Sequence, residues 1–454
     1  MIARARFARH FSFSLLVLCF VLISCAQAAP TSKATPQSLP SVQTWIRQNA
    51  HPLQTTEPGS ANADLQPLKQ MVGDAAIVGL GEANHGTHEF FTMKQRIFEF
   101  LVEQMGFTTF AFENGWDASR QIDDYILTGN GNLDALMRND LYAAWQTEEV
   151  RNLIEWMRAY DADPTHTTKV HFVGIDAWNI SQQVFDDVVN YIQDVDPEQT
   201  TQVQTLYTGI RPTSPIPDFV DYDGFSANPQ STKQHYQANA QQVYDLLKSH
   251  QSIYESRSSS SAFALALQEA QVIVQYTTLG VLIPSSETLF TSEDAYAKRD
   301  QFMADNVAWW HEYSGANAGI VVWAHNTHIA KLRQPAKSMG EFLYEKYQGS
   351  YRPIGTSFFQ GSFRIFGGGS TTVDNAPPPS KDTYNYVLSS VGIPRYFLDL
   401  RQASAGPVQA WLQGPYTLLN YGVGGQDLET DGSLQYWFDV IISLQSITAS
   451  HLLN

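Results

Sequence analysis

The sequence predicts an α/β protein in which helices cover both faces of a mostly parallel central sheet. Short apolar runs, typical of strands buried on both faces, alternate with segments whose apolar residues recur at helical spacing. The stretch at about 197–315 departs from this alternation, because it has helical patterns and almost no strand pattern. We therefore expect a three-layer α/β/α fold with a mostly parallel central sheet and a helical insertion at about 197–315.

The elements follow from these patterns in chain order. A short helix is expected at 42–49. Strands are expected at 75–82, 108–113, 170–176, 318–325, 352–359 and 396–400. Helices are expected at 87–105, 116–127, 133–140, 145–162 and 180–194, and within the insertion at 232–256, 261–279 and 292–313. Gly106 is expected to end its helix, and the Gly- and Pro-rich stretch 367–379 is expected to be a loop.

The N-terminus predicts export to a bacterial envelope. Three arginines precede an apolar run at 11–23 that is shorter than the roughly 20 residues of a membrane span. Ala26-Gln27-Ala28 is a small-x-small cleavage site, which predicts a signal peptide at 1–28. The stretch 22–25 resembles a lipobox, and cleavage before Cys25 would leave a lipid anchor on that cysteine. The protein is then either periplasmic or a membrane-anchored lipoprotein.

The remaining chain is predicted to hold a tether with an N-terminal helix at 29–67 and one α/β domain at 68–454. Its two cysteines, Cys19 and Cys25, lie in the leader, so no internal disulfide, thiolate zinc site or cysteine nucleophile is expected. Lys and Arg number 28 against 45 Asp and Glu, giving a net charge of −17 without a basic stripe. This balance excludes nucleic acid as an expected partner.

Ionisable side chains end four of the predicted strands. They are Glu82, Glu113, Asp176 and His325. Because the carboxyl ends of parallel strands meet at one edge of a sheet, we expect these side chains to form a site there.

Two H-x-x-H spacings follow predicted strands at equivalent positions, His85 to His88 and His325 to His328. His88 is expected on the first helical turn, facing away from the site. A neutral imidazole among carboxylates can take a proton from water, and crowded carboxylates shift each other's pKa values. The sequence has no G-x-S-x-G elbow, no Walker A sequence and no third glycine after Gly79-Leu80-Gly81, so no nucleotide cofactor is expected.

Four sequence blocks carry a resemblance to a known family: GLGEANHGTHEFFTMKQRIFEFLVEQMGF (79–107), FAFE (110–113), VGID (173–176) and VVWAHNTHIAK (321–331). With them, the chain resembles the erythromycin esterase family over about 68–420. It implies a three-layer α/β/α fold with a helical insertion, and hydrolysis of macrolide lactones without a required metal.

By motif, Glu82 and His85 match the family's E-x-x-H, whose histidine is taken to activate water. Glu89 and Glu113 match its further acidic residues, and His325 and His328 match its H-x-x-H pair. Lys94 stands where some macrolide esterases carry an arginine, so the positive charge is kept without the bidentate fork.

We therefore expect an exported hydrolase of small-molecule carboxylic esters or lactones. His85 would act as the general base, oriented by Glu82 or Glu113, with no metal and no cofactor. The side chains expected to bind substrate or its oxyanion are Glu89, Lys94, Arg96, Asp176, His325 and His328. Two alternatives remain open at this point: a metal-dependent hydrolase that uses the same Glu and His ligands, and a non-catalytic envelope protein that binds a ligand in the same cleft.

Overall fold

Six parallel strands form most of the central sheet. The computed structural model describes residues 39–212, 225, 227–283, 292–315, 318–333, 335–367, 370–428 and 430–453. Its strands are β1 (His51–Pro52), β2 (Ile77–Leu80), β3 (Phe107–Gly115), β4 (His171–Asp176), β5 (Gly319–Trp323), β6 (Tyr351–Gly367), β7 (Ser370–Ala376), β8 (Arg395–Asp399), β9 (Tyr416–Leu418), β10 (Thr430–Gly432) and β11 (Val440–Ile447). The main sheet has the order β1-β8-β11-β6-β2-β5-β3-β4.

Pairing is parallel from β11 through β6, β2, β5 and β3 to β4. The pairs β1–β8 and β8–β11 are antiparallel, and β7 pairs antiparallel with the distal part of β6. Strands β9 and β10 form a separate two-stranded sheet. The predicted α/β fold with a mostly parallel sheet is confirmed.

The helices lie between and after these strands. They are α1 (Leu39–Asn49), α2 (Gln66–Val72), α3 (His88–Met105), α4 (Ala118–Thr128), α5 (Leu133–Asp140), α6 (Glu148–Ala162), α7 (Gln182–Val195), α8 (Thr200–Tyr207), α9 (Gln230–Ser249), α10 (Gln251–Arg257), α11 (Ser260–Leu282), α12 (Glu293–Ser314), α13 (Asn326–Ile329), α14 (Met339–Tyr347), α15 (Tyr384–Ser389), α16 (Pro407–Leu412) and α17 (Leu434–Trp437). Gly106 ends α3 with φ of 74°, as its position predicts.

Two apolar cores lie on opposite faces of the sheet, because successive strand side chains point to opposite sides. On β5, Val321 and Trp323 belong to one core, whereas Ile320 and Val322 belong to the other. Helices α2 to α6 pack on the first face, and α1, α7 and the later helices pack on the second. The arrangement has the three layers that the sequence predicts.

The described residues between β4 and β5 form helices. The single helix predicted at 232–256 is divided at His250 into α9 and α10. Within this region α12 packs its buried residues onto the second core and carries Arg299 and Asp300 towards the sheet. The insertion therefore contributes side chains to the edge where β4 and β5 end.

Several described elements differ from those expected, among them β7 and β11. Strand β6 continues to Gly367 and pairs antiparallel with β7, so the predicted loop at 367–379 is wrong for 370–376. Gly361 lies where β6 leaves the main sheet, with φ of 131°, and a Cβ there would meet the Ile447 carbonyl oxygen at 2.0 Å. The central strand β11 was not predicted, although its VIISL run is typical of a buried strand.

The predicted signal peptide at 1–28, with Cys25, and residues 29–38 of the predicted tether lie outside the described residues. Helix α1 begins at Leu39 and fits the short helix expected there. Among the described helices, none has the length and hydropathy of a membrane span.

Candidate active site

Four strand-end residues meet at the carboxyl edge of the parallel strands. Glu82 follows β2 and His325 follows β5, while Glu113 lies in the last part of β3 and Asp176 ends β4. All four are buried. Because these strands are neighbours and run parallel, their ends lie side by side, which is where ligands bind in such sheets.

Glu82 holds His85 and Lys94 with its two oxygens. Its Oε1 lies 2.7 Å from His85 Nδ1, and its Oε2 accepts a hydrogen bond from the Lys94 ammonium at 2.8 Å. Lys94 also donates to the Ala324 carbonyl at 3.2 Å, and its Nζ lies 4.5 Å from the centre of the Trp323 ring. Burial lowers the pKa of Lys94 to about 8, against the opposing effect of the Glu82 charge. With Nδ1 donating to Glu82, His85 has its lone pair on Nε2.

His85 sits between an apolar wall and a second imidazole. Its ring meets Trp145 edge-on with centroids 5.0 Å apart, and it lies 5.1 Å from the His325 ring. Its side chain is 14 % exposed, whereas Glu82 is fully buried. The His85 imidazole is therefore the partly exposed member of the pair, and the buried Glu82 carboxylate fixes the orientation of its ring.

His325 is a neutral imidazole with a defined tautomer. Its Nδ1 accepts a hydrogen bond from the Thr327 backbone N–H at 3.2 Å, so its proton lies on Nε2. That Nε2 makes no hydrogen bond within the described chain. Burial, followed by His85 and His328, holds the pKa of His325 well below its usual range, and the Glu113 charge and the Ala83 carbonyl offset this only in part. An uncharged N–H donor thus stands beside His85.

Glu113 and His328 form a buried ion pair. Glu113 Oε1 lies 3.2 Å from His328 Nε2, and Oε2 accepts from the His325 backbone N–H at 3.0 Å. His328 Nδ1 lies 2.8 Å from Asp300 Oδ1, and its ring stacks on Tyr296. Burial lowers the pKa of His328, but Asp300, Tyr296 and Glu113 hold it well above its usual range. Burial likewise raises the pKa of Glu113, yet the charge and hydrogen bond of His328 hold it well below.

Asp176 is paired with a buried arginine. Arg299 Nη2 donates to Asp176 Oδ2 at 2.6 Å, and its Nε lies 3.1 Å from the same oxygen. The same Nη2 lies 3.3 Å from Glu113 Oε1, and the guanidinium lies over the Trp178 ring at 5.7 Å. Burial and the Asp176 charge raise the pKa of the Tyr142 hydroxyl well above its usual range. Arg299 thus links the Asp176 and Glu113 ends of the site.

Three members of the cluster were missed by the sequence analysis. Tyr296, Arg299 and Asp300 come from α12, within the helical insertion. A signal was available, because Arg299 is spaced by four residues from Ala295 and Met303 on the buried side of that helix. A charged residue in the apolar stripe of a helix is rarely buried without a partner.

Two predicted substrate-binding residues lie elsewhere. Glu89 accepts hydrogen bonds from the Thr448 backbone N–H at 2.7 Å and from its hydroxyl at 2.8 Å. Arg96 donates to Asp64 at 2.6 Å and to the Ala61 carbonyl at 2.8 Å. Both side chains pair with segments that pack against α3 rather than with the strand-end residues, and their role in substrate binding stays a prediction.

His88 faces away from the site, as expected. Its Nδ1 lies 2.7 Å from Glu149 Oε1, and His451 Nδ1 lies 2.8 Å from the same oxygen. Within the described residues, this is the place where three potential ligand atoms from His and carboxylate side chains converge within 4.8 Å. In the site at the sheet edge, by contrast, the Lys94 ammonium and the Arg299 guanidinium stand against the carboxylates.

The chain is similar to one known family and to several proteins of known sequence or structure. A family model described as erythromycin esterase matches residues 102–447. The crystal structure of a Bacillus cereus protein is 31 % identical with a TM-score of 0.82, covering 92 % of this chain and 99 % of that one. Erythromycin esterase type II of Escherichia coli is 23 % identical over 335 residues, 70 % of this chain and 77 % of that protein. The structure of a mutant of the erythromycin esterase EreC in its open conformation is 18 % identical with a TM-score of 0.68. The match covers 86 % of this chain and 96 % of that one.

A mostly parallel sheet whose carboxyl edge holds histidines among paired carboxylates is typical of α/β enzymes. The family model spans about three quarters of the sequence, so the chain belongs to the erythromycin esterase family. It is therefore a hydrolase of the esterase type.

Proposed function

We propose that this protein hydrolyses small-molecule carboxylic esters or lactones with a water molecule that His85 activates. The observation that carries the proposal is the hydrogen bond of 2.7 Å between Glu82 and His85 Nδ1. It orients the ring and leaves the lone pair on Nε2, the arrangement in which a histidine acts as general base.

In the proposed reaction, His85 Nε2 takes a proton from water and the water oxygen attacks the acyl carbon. The carbonyl oxygen then carries the negative charge of the tetrahedral intermediate. The His325 Nε2–H, which has no other hydrogen bond within the described chain, is the donor that would stabilise this charge. Collapse of the intermediate breaks the acyl–oxygen bond, and His85 returns its proton to the leaving alcohol oxygen.

The charges of the cluster suit this proton transfer. Four carboxylates, those of Glu82, Glu113, Asp176 and Asp300, face three cationic side chains, those of Lys94, Arg299 and His328. The proton that His85 accepts therefore balances the remaining negative charge. In a buried site, such a balance lowers the free energy of the imidazolium that forms during the reaction.

The donor set favours water activation without a metal. Glu82 and Asp176 already accept hydrogen bonds from the Lys94 ammonium and the Arg299 guanidinium, which are cationic groups without a lone pair for a metal. A metal at Glu82 would have to displace the Lys94 ammonium. We therefore infer that purified protein keeps its activity in a chelator, and a stoichiometric metal that leaves together with activity would replace this reading with a metal-dependent hydrolase.

Substitution of His85 tests the proposal. With an ester or lactone identified by a library screen read out by mass spectrometry, His85→Ala is expected to lower kcat at least ~100-fold, typical of losing a general base. His171→Ala is a matched control, because His171 also pairs with a carboxylate, that of Asp123, at 3.1 Å. Near-normal turnover in the His85 variant would show that another group activates water, and ligand binding without turnover in the parent protein would favour the binding-protein alternative.

A further inference from the structure

A second polar cluster lies where the C-terminal segment crosses the turn that carries His85. It consists of His88 at the start of α3, Glu149 in the first turn of α6 and His451 after β11. Glu149 is 3 % exposed, His88 21 % and His451 59 %, so the cluster opens from a buried carboxylate to the surface.

The geometry of this cluster is convergent. Both imidazoles turn Nδ1 towards one oxygen, with His88 at 2.7 Å and His451 at 2.8 Å from Glu149 Oε1. The two rings meet edge-on with centroids 5.0 Å apart. A tetrahedral zinc ion with bonds of about 2.0–2.1 Å separates its ligand atoms by about 3.3 Å, which small side-chain shifts reach from this arrangement.

A fourth side chain orients one of the candidate ligands. His88 Nε2 lies 3.1 Å from Glu57 Oε1, on the side of the ring opposite Glu149. Histidines that bind metal through one nitrogen almost always donate the other N–H to a carboxylate, which fixes the tautomer. This hydrogen bond leaves Nδ1 of His88 as the nitrogen that can ligate.

We propose that His88 Nδ1, His451 Nδ1 and a Glu149 oxygen bind one divalent transition-metal ion of the zinc class. Two imidazoles and one carboxylate form a ligand set that zinc uses in proteins, with water completing the coordination. The site uses side chains other than those of the proposed reaction, because His88 and His451 pair with Glu149, and His88 also pairs with Glu57.

The ion would join segments that the backbone already brings together. His88 N–H donates to the Thr448 carbonyl at 2.9 Å, and Glu148 N–H donates to the His451 carbonyl at 2.8 Å. The metal therefore crosslinks the C-terminal segment to the starts of α3 and α6. Its expected effect is on stability, since a ligand that binds the folded state alone stabilises it.

Titration of purified protein, first freed of metal by chelation, tests the site. Zinc is expected to bind with one equivalent per chain and to raise Tm by roughly 2 °C or more. Cobalt(II) is expected to show the visible absorption of a four- or five-coordinate ion. His88→Gln and His451→Gln should each abolish the cobalt spectrum and the zinc-dependent Tm shift, whereas His171→Gln should preserve both.

Glu57→Gln separates a built site from adventitious binding. It leaves all three ligands in place, so the stoichiometry should stay at one, while the affinity should fall about 10- to 100-fold. Zinc binding that survives in both His88→Gln and His451→Gln would place the ion elsewhere and overturn the proposal, as would the absence of stoichiometric binding in the parent protein.

Discussion

At the scale of single residues, the candidate site consists of buried charges that each have a partner. Lys94 is matched to Glu82, Arg299 to Asp176, and His328 to Asp300 and Glu113. Removing one member of a buried pair costs about 3–5 kcal/mol, because the other charge is left uncompensated. For Lys94, Arg299, His328 and their carboxylate partners, conservative substitutions are therefore more informative than truncations, which risk unfolding the protein.

The lowered pKa of Lys94 leads to a prediction for the pH dependence of turnover. Its buried ammonium has a pKa of about 8, so Lys94 is protonated below that pH and neutral above it. Once Lys94 is neutral, Glu82 loses the charge-assisted hydrogen bond that holds its Oε2, and it orients His85 less firmly. We expect kcat to fall as the pH rises through about 8.

Lys94→Arg is the matched variant, because a guanidinium keeps its charge throughout this range. Its kcat profile should lack the fall near pH 8, even if its rate at neutral pH is lower. A parent profile that stays flat to about pH 10, the usual range of lysine, would show that Lys94 does not control the dyad.

At the scale of elements, helix α3 shows why neighbouring residues have different roles. Glu89, Lys94 and Arg96 all lie on α3, and the sequence analysis assigned all three to substrate binding. At 3.6 residues per turn, Glu89 lies about 140° and Arg96 about 160° from Lys94 around the helix axis. Only Lys94 faces the sheet edge, and the other two pair with Thr448 and Asp64.

Helix α5 ends on a carboxylate in an unfavourable place. Asp140 is its last residue, and its Oδ2 is buried without a hydrogen-bond partner among the described residues. Burial, and then the charge of Asp117, raises the pKa of Asp140 to about 7 from 3.8. The negative end of the helix dipole also disfavours an anion there.

The folded protein therefore binds this proton between about pH 4 and 7 while the unfolded chain does not. The contribution of Asp140 to stability is complete below pH 3.8 and is lost as the pH rises through about 7. Asp140→Asn should raise the free energy of unfolding at pH 8 by at least about 1 kcal/mol, since one pKa unit corresponds to about 1.4 kcal/mol.

Urea unfolding at pH 5 and pH 8 measures this effect. The gain should be smaller at pH 5, where the parent carboxyl is already protonated. Asp134→Asn is the control on the same helix, because Asp134 is 48 % exposed and pairs with Arg151 at the surface. An equal gain at both pH values would show that the charge of Asp140 is not the cause.

At the scale of the whole molecule, the predicted signal peptide at 1–28 bears on where the protein works. We propose that the protein is exported and that Cys25 carries a lipid anchor if the lipobox is used. Cys25→Ser should then move the protein from the membrane fraction of its native host to the soluble fraction. A mature N-terminus sequenced as Ala29 would show that the ordinary cleavage site is used instead.

The sequence by itself determined the α/β class, most helices and strands, and the four strand ends that meet at the site. These features are local: an apolar run marks a buried strand, and parallel strands place their ends together. Tertiary structure decided which side chains enter the site. It places Arg299 and Asp300 in the site from a helix more than 100 residues beyond Asp176. It pairs Glu89 and Arg96 with residues outside the site. Such choices depend on helix phase and on partners distant in sequence, since a buried charge lies where its counter-charge is.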